Sequence, residues 1–491
     1  MAGAYIDRIM RGVVLLGVVL GLQPGVQAQL RNANWFFNST NLLSYASGAP
    51  VASTAGPLIG GSTAGLSDPQ GNALMYAVGN AVLNREMNPM SGSPSLNNAT
   101  ANQGYLFLPV PGDPSGSVVF HNRGINFSST LSYGYLDMDL DNGSGGFVGG
   151  MTVLASDATC KLTAVPHANG QDYWVLTQVY GTDAIAAYRL HAGGLDAVPV
   201  ISHTGVPMTV VIDGIEQAQN EGIMAASRAG DRLAMAGIVS QSIEAHDLAH
   251  SRFEILHFDN AAGIATHLAS IPLPVGSTID GIEFSPDGTK LYFTSTAAQQ
   301  IPFTFTIHQY NVTAGDEQAI IASHTEVLSL EGMSNSYTPD IQLALAPDGR
   351  IWFDHWTDSP WLGVIDAPNE AGMACTPIGE YLLLPNNAGV GLPNQCKRYH
   401  DSDLNTGAAP EPVMGGLTAW PNPVYDELYI NAPRMGCTSW LYDATGRVVR
   451  SASSGPRRTT IIGVAGLPSG PYLLRCTDGQ GKSWTSTVLK E

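Results

Sequence analysis

Positive charge is scarce in this chain. Its 491 residues hold 22 Lys or Arg against 41 Asp or Glu, a formal net charge of −19. A polyanion would be repelled by that excess, which argues against nucleic acid and anionic membranes as partners. Charged residues of either sign make up only 13%, while Gly and Pro number 55 and 31. So little charge with so many turn formers fits an all-β exported protein. Cysteine is rare as well. Cys160, Cys375, Cys396, Cys437 and Cys476 show no CxxC spacing, which speaks against structural zinc. There is no GxSxG elbow, HExxH helix or P-loop, so the common hydrolase, metalloprotease and nucleotide signatures are missing. Beyond the N terminus no apolar run approaches the ~18 residues a membrane span needs.

The N-terminal run is of another kind. Arg8 and Arg11 precede apolar residues from Val13 to Leu22, and Val26-Gln-Ala28 offers small residues for cleavage before Gln29. These features predict a signal peptide over 1–28. Without it and the last 75 residues, nearly 400 residues remain, roughly too many for one sandwich.

A weak repeat organises that middle. Asp68-Pro-Gln-Gly71, His167-Ala-Asn-Gly170, Arg228-Ala-Gly-Asp231, Ser285-Pro-Asp-Gly288 and Ala346-Pro-Asp-Gly349 each lead into an alternating apolar strand. Glycines 170, 230, 288 and 349 are 60, 58 and 61 residues apart. A turn and strand at a fixed step predict a propeller or solenoid, and three or four strands within one step select the propeller. Residues 29–400 then make seven blades, with six as the alternative. The strand near Trp35 is expected to pair with strands near the end of the domain, which would remove open edges.

The SPDG turn followed by an aromatic resembles the repeat of WD40-like and TolB-like propellers. The order of motifs from Asn34-Trp35 through Lys161-Leu-Thr to Gly391-Leu-Pro-Asn394 resembles the N-terminal propeller region of large secreted Bacteroidetes proteins, some associated with gliding motility. This chain departs from the pattern at Arg228 to Asp231. The resemblance implies fold and export, and carries no catalytic residues.

The chain's end is more specific. Pro421-Asn422-Pro423, then Tyr442-Asp443 with Gly446-Arg447, then Leu467 with Gly470 and Tyr472, then Lys490, follow one another among short alternating strands. Read from the residues, 417–491 is a small antiparallel β-sandwich behind a Pro/Gly/Ala linker at 401–416. The order of motifs resembles the C-terminal sorting domain of the type IX secretion system of Bacteroidetes. That resemblance implies the secretion machinery as partner and delivery through the periplasm to the cell surface or medium.

Candidate sites are few. Asp137, Asp139 and Asp141 alternate before Asn142-Gly143, as in a calcium loop, but residue 148 is Val where a bidentate acid is wanted. A strand entering an Asn-Gly hairpin explains the same letters. His167 and Asn169 precede the Tyr173-Trp174 strand, either near a ligand at the propeller mouth or as turn residues. Trp356 and Trp361 form either a carbohydrate-stacking platform or interblade packing. His246 and His250 stand four apart without a catalytic glutamate. Cysteines are expected to pair as Cys375–Cys396 and Cys437–Cys476, leaving Cys160 free. The leading function is a binding module for a glycan, protein or surface component. The alternatives are a polysaccharide hydrolase or lyase using the axial funnel, and a structural element of the envelope or motility surface.

Overall fold

The structure is a computed structural model. It describes residues 30–397 and 417–491, apart from 38–39, 55–62, 97–102, 126–127, 206, 208, 213–214, 219, 238–245, 248–251, 273–276, 298–303, 332–340, 355–358, 390, 433–436, 455–458 and 480. The expected signal peptide and linker therefore lie outside the described residues. The chain is all-β. Its one described α-helix, Glu317–Ala322, starts where the Asp316 side chain accepts from Ala319 N. No described helix is long and apolar enough to cross a membrane.

Up to residue 397, seven antiparallel sheets follow in chain order. The first holds Asn34–Phe37, Asn41–Ser44 and Val51–Thr54, and the second Thr63–Ser67, Ala73–Val78 and Ala81–Asn84. The third joins Tyr105–Pro109, Gly116–Ile125, Ser128–Asp137 and Gly146–Ala158. The fourth is built on Thr163–Pro166, Tyr173–Gln178 and Ala184–His191, with Gly194–Leu195 and Val200–His203 on its outer side. The fifth has Gly222–Ala226, Arg232–Gly237, Arg252–Asp259 and Ile264–Pro272. The sixth has Ser277–Phe284, Lys290–Ala297, Thr304–Asn311 and Thr325–Glu331. The seventh has Leu343–Leu345, Ile351–Phe353, Trp361–Ile365 and Pro377–Leu383. A small extra sheet, Thr209–Ile212, Ile215–Ala218 and His246–Asp247, sits apart from this series.

Innermost strands lie side by side. Thr63–Ser67 packs against Asn34–Phe37 and Tyr105–Pro109, and Ser277–Phe284 packs against Gly222–Ala226 and Leu343–Leu345. A Cβ at Gly281 would meet the Ile341 carbonyl oxygen at 2.6 Å, so only glycine lets the sixth and seventh sheets approach so closely. Meanders stacked this way around an axis are propeller-like.

The repeated glycines sit where the sequence puts them, between the first and second strands of successive sheets. Gly170, Gly230, Gly288 and Gly349 adopt φ of +70° to +77°, and each donates its N–H to the carbonyl three residues back. The departure at Arg228–Asp231 is repaired by chemistry. Ser227 Oγ donates to Asp231 at 2.7 Å and accepts from Arg232 N at 3.1 Å, rebuilding the turn with the acid two residues later than Asp287 stands after Ser285.

Closure differs from expectation. Asn34–Phe37 pairs with Asn41–Ser44 and not with a strand from the end of the series. Side chains join the first sheet to the seventh instead. Trp35 and Tyr45 pack with Trp352, Leu362, Val364 and Leu384 in one buried cluster. Tyr45 meets Trp352 edge-on at 6.4 Å, and Arg350 lies over the Trp352 and Tyr381 rings at 5.0 and 5.1 Å. Each sheet thus keeps its own strands, and aromatic burial supplies the seam.

The C-terminal residues form two further sheets. One orders Thr418–Trp420, Glu427–Asn431 and Thr459–Gly463; the other orders Val448–Ser453, Thr438–Tyr442, Gly470–Thr477 and Ser483–Lys490. They share a core of Val424, Leu428, Ile430, Leu441, Ile462, Leu474 and Val488.

The seam makes a measurable prediction. Trp352→Ala should cost about 3–5 kcal/mol in denaturant unfolding, while Tyr425→Ala, at an exposed residue of the C-terminal unit, should leave that transition unchanged.

Candidate functional site

The centre of the propeller-like unit is filled by the chain itself. Residues 391–397, Gly-Leu-Pro-Asn-Gln-Cys-Lys, are buried except for half-buried Asn394. Asn394 N donates to the Thr63 carbonyl at 3.1 Å, and its Nδ2 donates to Tyr105 and Leu162 carbonyls at 3.0 Å each. Leu392 N donates to Gln342 Oε1, and Gly391 N to Asp354 Oδ2, both at 3.0 Å. Asn32 Nδ2 reaches the Cys396 carbonyl at 2.8 Å. Lys397 Nζ pairs with Glu283, whose carboxylate also accepts from Phe284 N at 3.0 Å and Leu345 N at 2.9 Å. Gln103 spans the fourth and fifth sheets, donating to Met224 O at 2.7 Å and accepting from Leu162 N and Met224 N.

These bonds engage most of the polar groups named here, while Gln395 Nε2 and Thr63 Oγ1 are buried without a hydrogen-bond partner. A space of about 30 Å³ remains among Gln103, Glu283, Gln342, Asn394 and Lys397, roughly the share of one water. The acid, lysine and amides found together here hold a plug and do not line a funnel.

The expected ligand residues are placed differently. His167 Nδ1 accepts from Asn169 N at 2.9 Å, and the His167 ring stacks on Trp174 at 5.6 Å. Asn169 in turn bonds Asp172 at 2.8 Å, which Arg189 holds at 2.6 Å. His167 and Asn169 are brought together as parts of one hairpin turn. Trp361 is half-buried at the start of its strand, while Trp356 lies outside the described residues.

Asp137, Asp139 and Asp141 lie along the hairpin between two strands of the third sheet. Asp137 accepts from Asp139 N at 2.9 Å, and Asp141–Gly143 forms a 3-10 turn. Among the described residues no three His, Cys, Asp or Glu side chains converge on a metal position. His246 is in a strand paired with Ile212, not on a helix, and His250 is outside the described residues.

The expected Cys375–Cys396 disulfide is corrected. All five cysteines are buried free thiols. The plug carries Cys396 in among Leu162, Ala158 and Leu131, whereas Cys375 packs with Tyr292 and Phe305 elsewhere. Cys437 just precedes the strand Thr438–Tyr442 and meets Cys476 of the neighbouring strand in the shared core. Burial first, and also the adjacent Cys437 thiol, push the Cys476 thiol up to about 12.

Sequence reasoning missed one polar cluster in the sixth sheet. His308 Nε2 lies 2.7 Å from Ser295 Oγ, and His308 Nδ1 lies 2.9 Å from His324 Nε2. Hydroxyl, imidazole, imidazole is the order of a nucleophile relay. Here Ser295 and His308 are only 7% and 5% exposed, and the His308 ring stacks on Phe293 at 4.5 Å. The cluster packs the sheet. Burial first, and then the neighbouring His324, push His308 down to about 4.

The sorting motifs have clear work at the other end. Asn422 Oδ1 accepts from Leu489 N at 2.8 Å and its Nδ2 donates to Thr487 O at 3.0 Å, so Pro421-Asn422-Pro423 clips the last strand. Gly446 takes φ +80° in a turn where Asp443 accepts from Thr445 N, Thr445 Oγ1 and Arg447 N. The Thr445 hydroxyl is the main reason the Asp443 carboxyl is held down at about 2. Gly470 takes φ +145°, Tyr472 donates its hydroxyl to Pro468 O at 2.8 Å, and Lys490 bonds the Glu491 carbonyl oxygen.

Comparison with known proteins agrees at this end. Residues 418–491 match the family described as the secretion system C-terminal sorting domain, and the chain therefore ends in a type IX sorting domain. No curated protein matches the sequence. Among solved structures, the chain is similar to Sqt1 of Chaetomium thermophilum bound to the N-terminus of ribosomal protein L10. Identity is 13%, coverage 78% of this chain and 88% of that one, and the TM-score 0.31. It is also similar to a protein of unknown function from Dyadobacter fermentans, at 10% identity, coverage of 74% and 95%, and TM-score 0.33.

Two outcomes test the polar clusters. Lys397→Met leaves a buried carboxylate without its cation and should cost about 3–5 kcal/mol, while adding Glu283→Gln should recover part of that loss; urea titrations compare the three proteins. Because His308 is neutral in the fold down to about 4, the unfolded chain binds the extra proton between there and the ordinary histidine range. Stability should fall as pH drops through that window, and His308→Gln should flatten the fall.

Proposed function

We propose that this protein is a β-propeller of seven blades, exported by the type IX system, that serves outside the cell as a binding module. The blades are the seven sheets in chain order, spanning 29–400. A linker at 401–416 leads to a sorting domain at 417–491, built as a sandwich of its two sheets over one core. A signal peptide at 1–28 starts the route through the periplasm, and the mature protein is released or held at the surface.

The observation that carries the binding reading is the filled axis. An enzyme working in a propeller funnel needs acids, bases and room for substrate at the centre. Here Glu283, Lys397, Gln342 and Asn394 are spent on the plug, and the remaining space is about 30 Å³. Contacts with a glycan or protein therefore fall to the outer faces and connecting turns, where half-buried Trp361 and the turn of His167 and Asn169 lie.

Two measurements test this. The purified protein should retain ligands on glycan and protein arrays and release no reducing ends or unsaturated sugars from bound polysaccharide; catalysed release would overturn the reading. Removing 417–491 should leave a folded protein trapped in the periplasm, and normal arrival in the medium would show that the sorting domain is not the address.

A further inference from the structure

The whole-chain charge conceals a reversal. Residues 1–416 carry 14 Lys or Arg against 36 Asp or Glu, a net of −22, whereas 417–491 carry eight against five, a net of +3. The basic end also exposes an organised apolar face. In the four-stranded sheet, antiparallel register aligns Val448, Tyr442, Leu473 and Thr487 in one row across all four strands. Strand alternation turns this row away from the core, since Leu441, Leu474 and Val488 occupy the inner side. The next rows add Trp440 opposite Arg475, and Pro471 opposite Leu489.

Such a row should be polar on a sheet with one solvated face. Instead Val448, Leu473 and Leu489 are 46%, 46% and 44% exposed. A concavity of about 510 Å³ opens on this face, lined by Tyr442, Pro471, Leu473, Arg475 and Thr487 with the Asp443–Gly446 turn. Arg475 is steadied by Ser483 Oγ, a neutral partner, at 3.1 Å, and Arg447, 78% exposed at the end of the turn, keeps two guanidinium nitrogens beyond the Nε that pairs with Asp443 at 3.2 Å. The motif glycines 446 and 470 therefore shape the borders of this groove.

We infer that this groove is the surface by which the sorting domain docks onto a protein component of the secretion machinery, and that the docking segment offers an apolar ridge flanked by carboxylates. The inference rests on the sorting reading above and adds to it the face and the chemistry. Apolar side chains enter a depression lined by Tyr442 and Leu473, and carboxylates meet Arg475 and Arg447 at its rim. The charge reversal gives such a partner a reason to orient on this end of the chain and not on its acidic remainder.

The experiment uses the full chain expressed in a host that carries this secretion system. Export is read as the ratio of protein outside the cell to protein in the periplasm. Leu473→Ser with Tyr442→Ser, and separately Arg475→Glu, should each lower export by about tenfold or more, the change produced by losing roughly 1.4 kcal/mol of binding. Ile461→Ser, at an exposed position on the other sheet, should leave export unchanged. Thermal unfolding of the purified variants distinguishes lost docking from lost folding, and the charge reversal serves if the double variant unfolds. If groove variants are exported normally while removal of 417–491 blocks export, the groove is not the docking face and the sorting reading survives. If removal of 417–491 has no effect, both fall. Binding of the purified chain to phosphatidylglycerol vesicles that is lost with Arg475→Glu would overturn the protein partner in favour of a lipid surface.

Discussion

The fold depends on the segment from Gly391 to Lys397 lying along the axis. A propeller has to join sheets that begin and end far apart in sequence, and here, among the described residues, no strand is shared between the first and last sheets. The plug performs part of that task. Through Asn394 it bonds Thr63, Tyr105 and Leu162; through Leu392 and Gly391 it bonds Gln342 and Asp354; through Lys397 it reaches Glu283. Backbone carbonyls at the axis cannot be left without donors once water is excluded, so a segment rich in side-chain amides is what such a centre calls for. The aromatic seam of Trp35, Tyr45 and Trp352 completes closure from the side.

This arrangement limits where function can reside. Groups that could have worked on a substrate at the axis are engaged in holding the plug. The outer surfaces of the propeller and the face of the sorting domain are left as places of contact, and they differ in charge. The acidic part suits solubility after release, while the basic end with its apolar groove suits recognition during export.

How much was legible follows from the range of the interactions. Turn positions were readable because a tight hairpin needs a residue at positive φ, and Gly170, Gly288 and Gly349 meet that need locally. The turn at Ser227–Asp231 looked degenerate because its hydroxyl–carboxylate bond spans two residues more than that of Ser285 and Asp287. The sorting motifs were readable for a similar reason, since Asp443, Gly446 and Tyr472 bond within a few residues. The plug was seen only as the end of the last blade. Its partners lie 37 to 289 residues away for Gly391 and the Asn394–Tyr105 contact, and those of Asn394 are backbone carbonyls that leave no mark in a side-chain pattern. The Cys375–Cys396 pairing failed for the related reason that nearness in sequence does not fix where two sulfurs point.

Local chemistry therefore established the class of this protein: strands from alternation, turns from glycine, and a sorting end from motifs whose bonds are short in sequence. Tertiary structure decided what stands at the centre and what faces outward. Only three-dimensional packing brings Lys397 to Glu283, separates Cys396 from Cys375, and aligns Val448, Tyr442 and Leu473 across strands. Each of these depends on register and on contacts between distant segments, which a linear pattern of residue types does not encode.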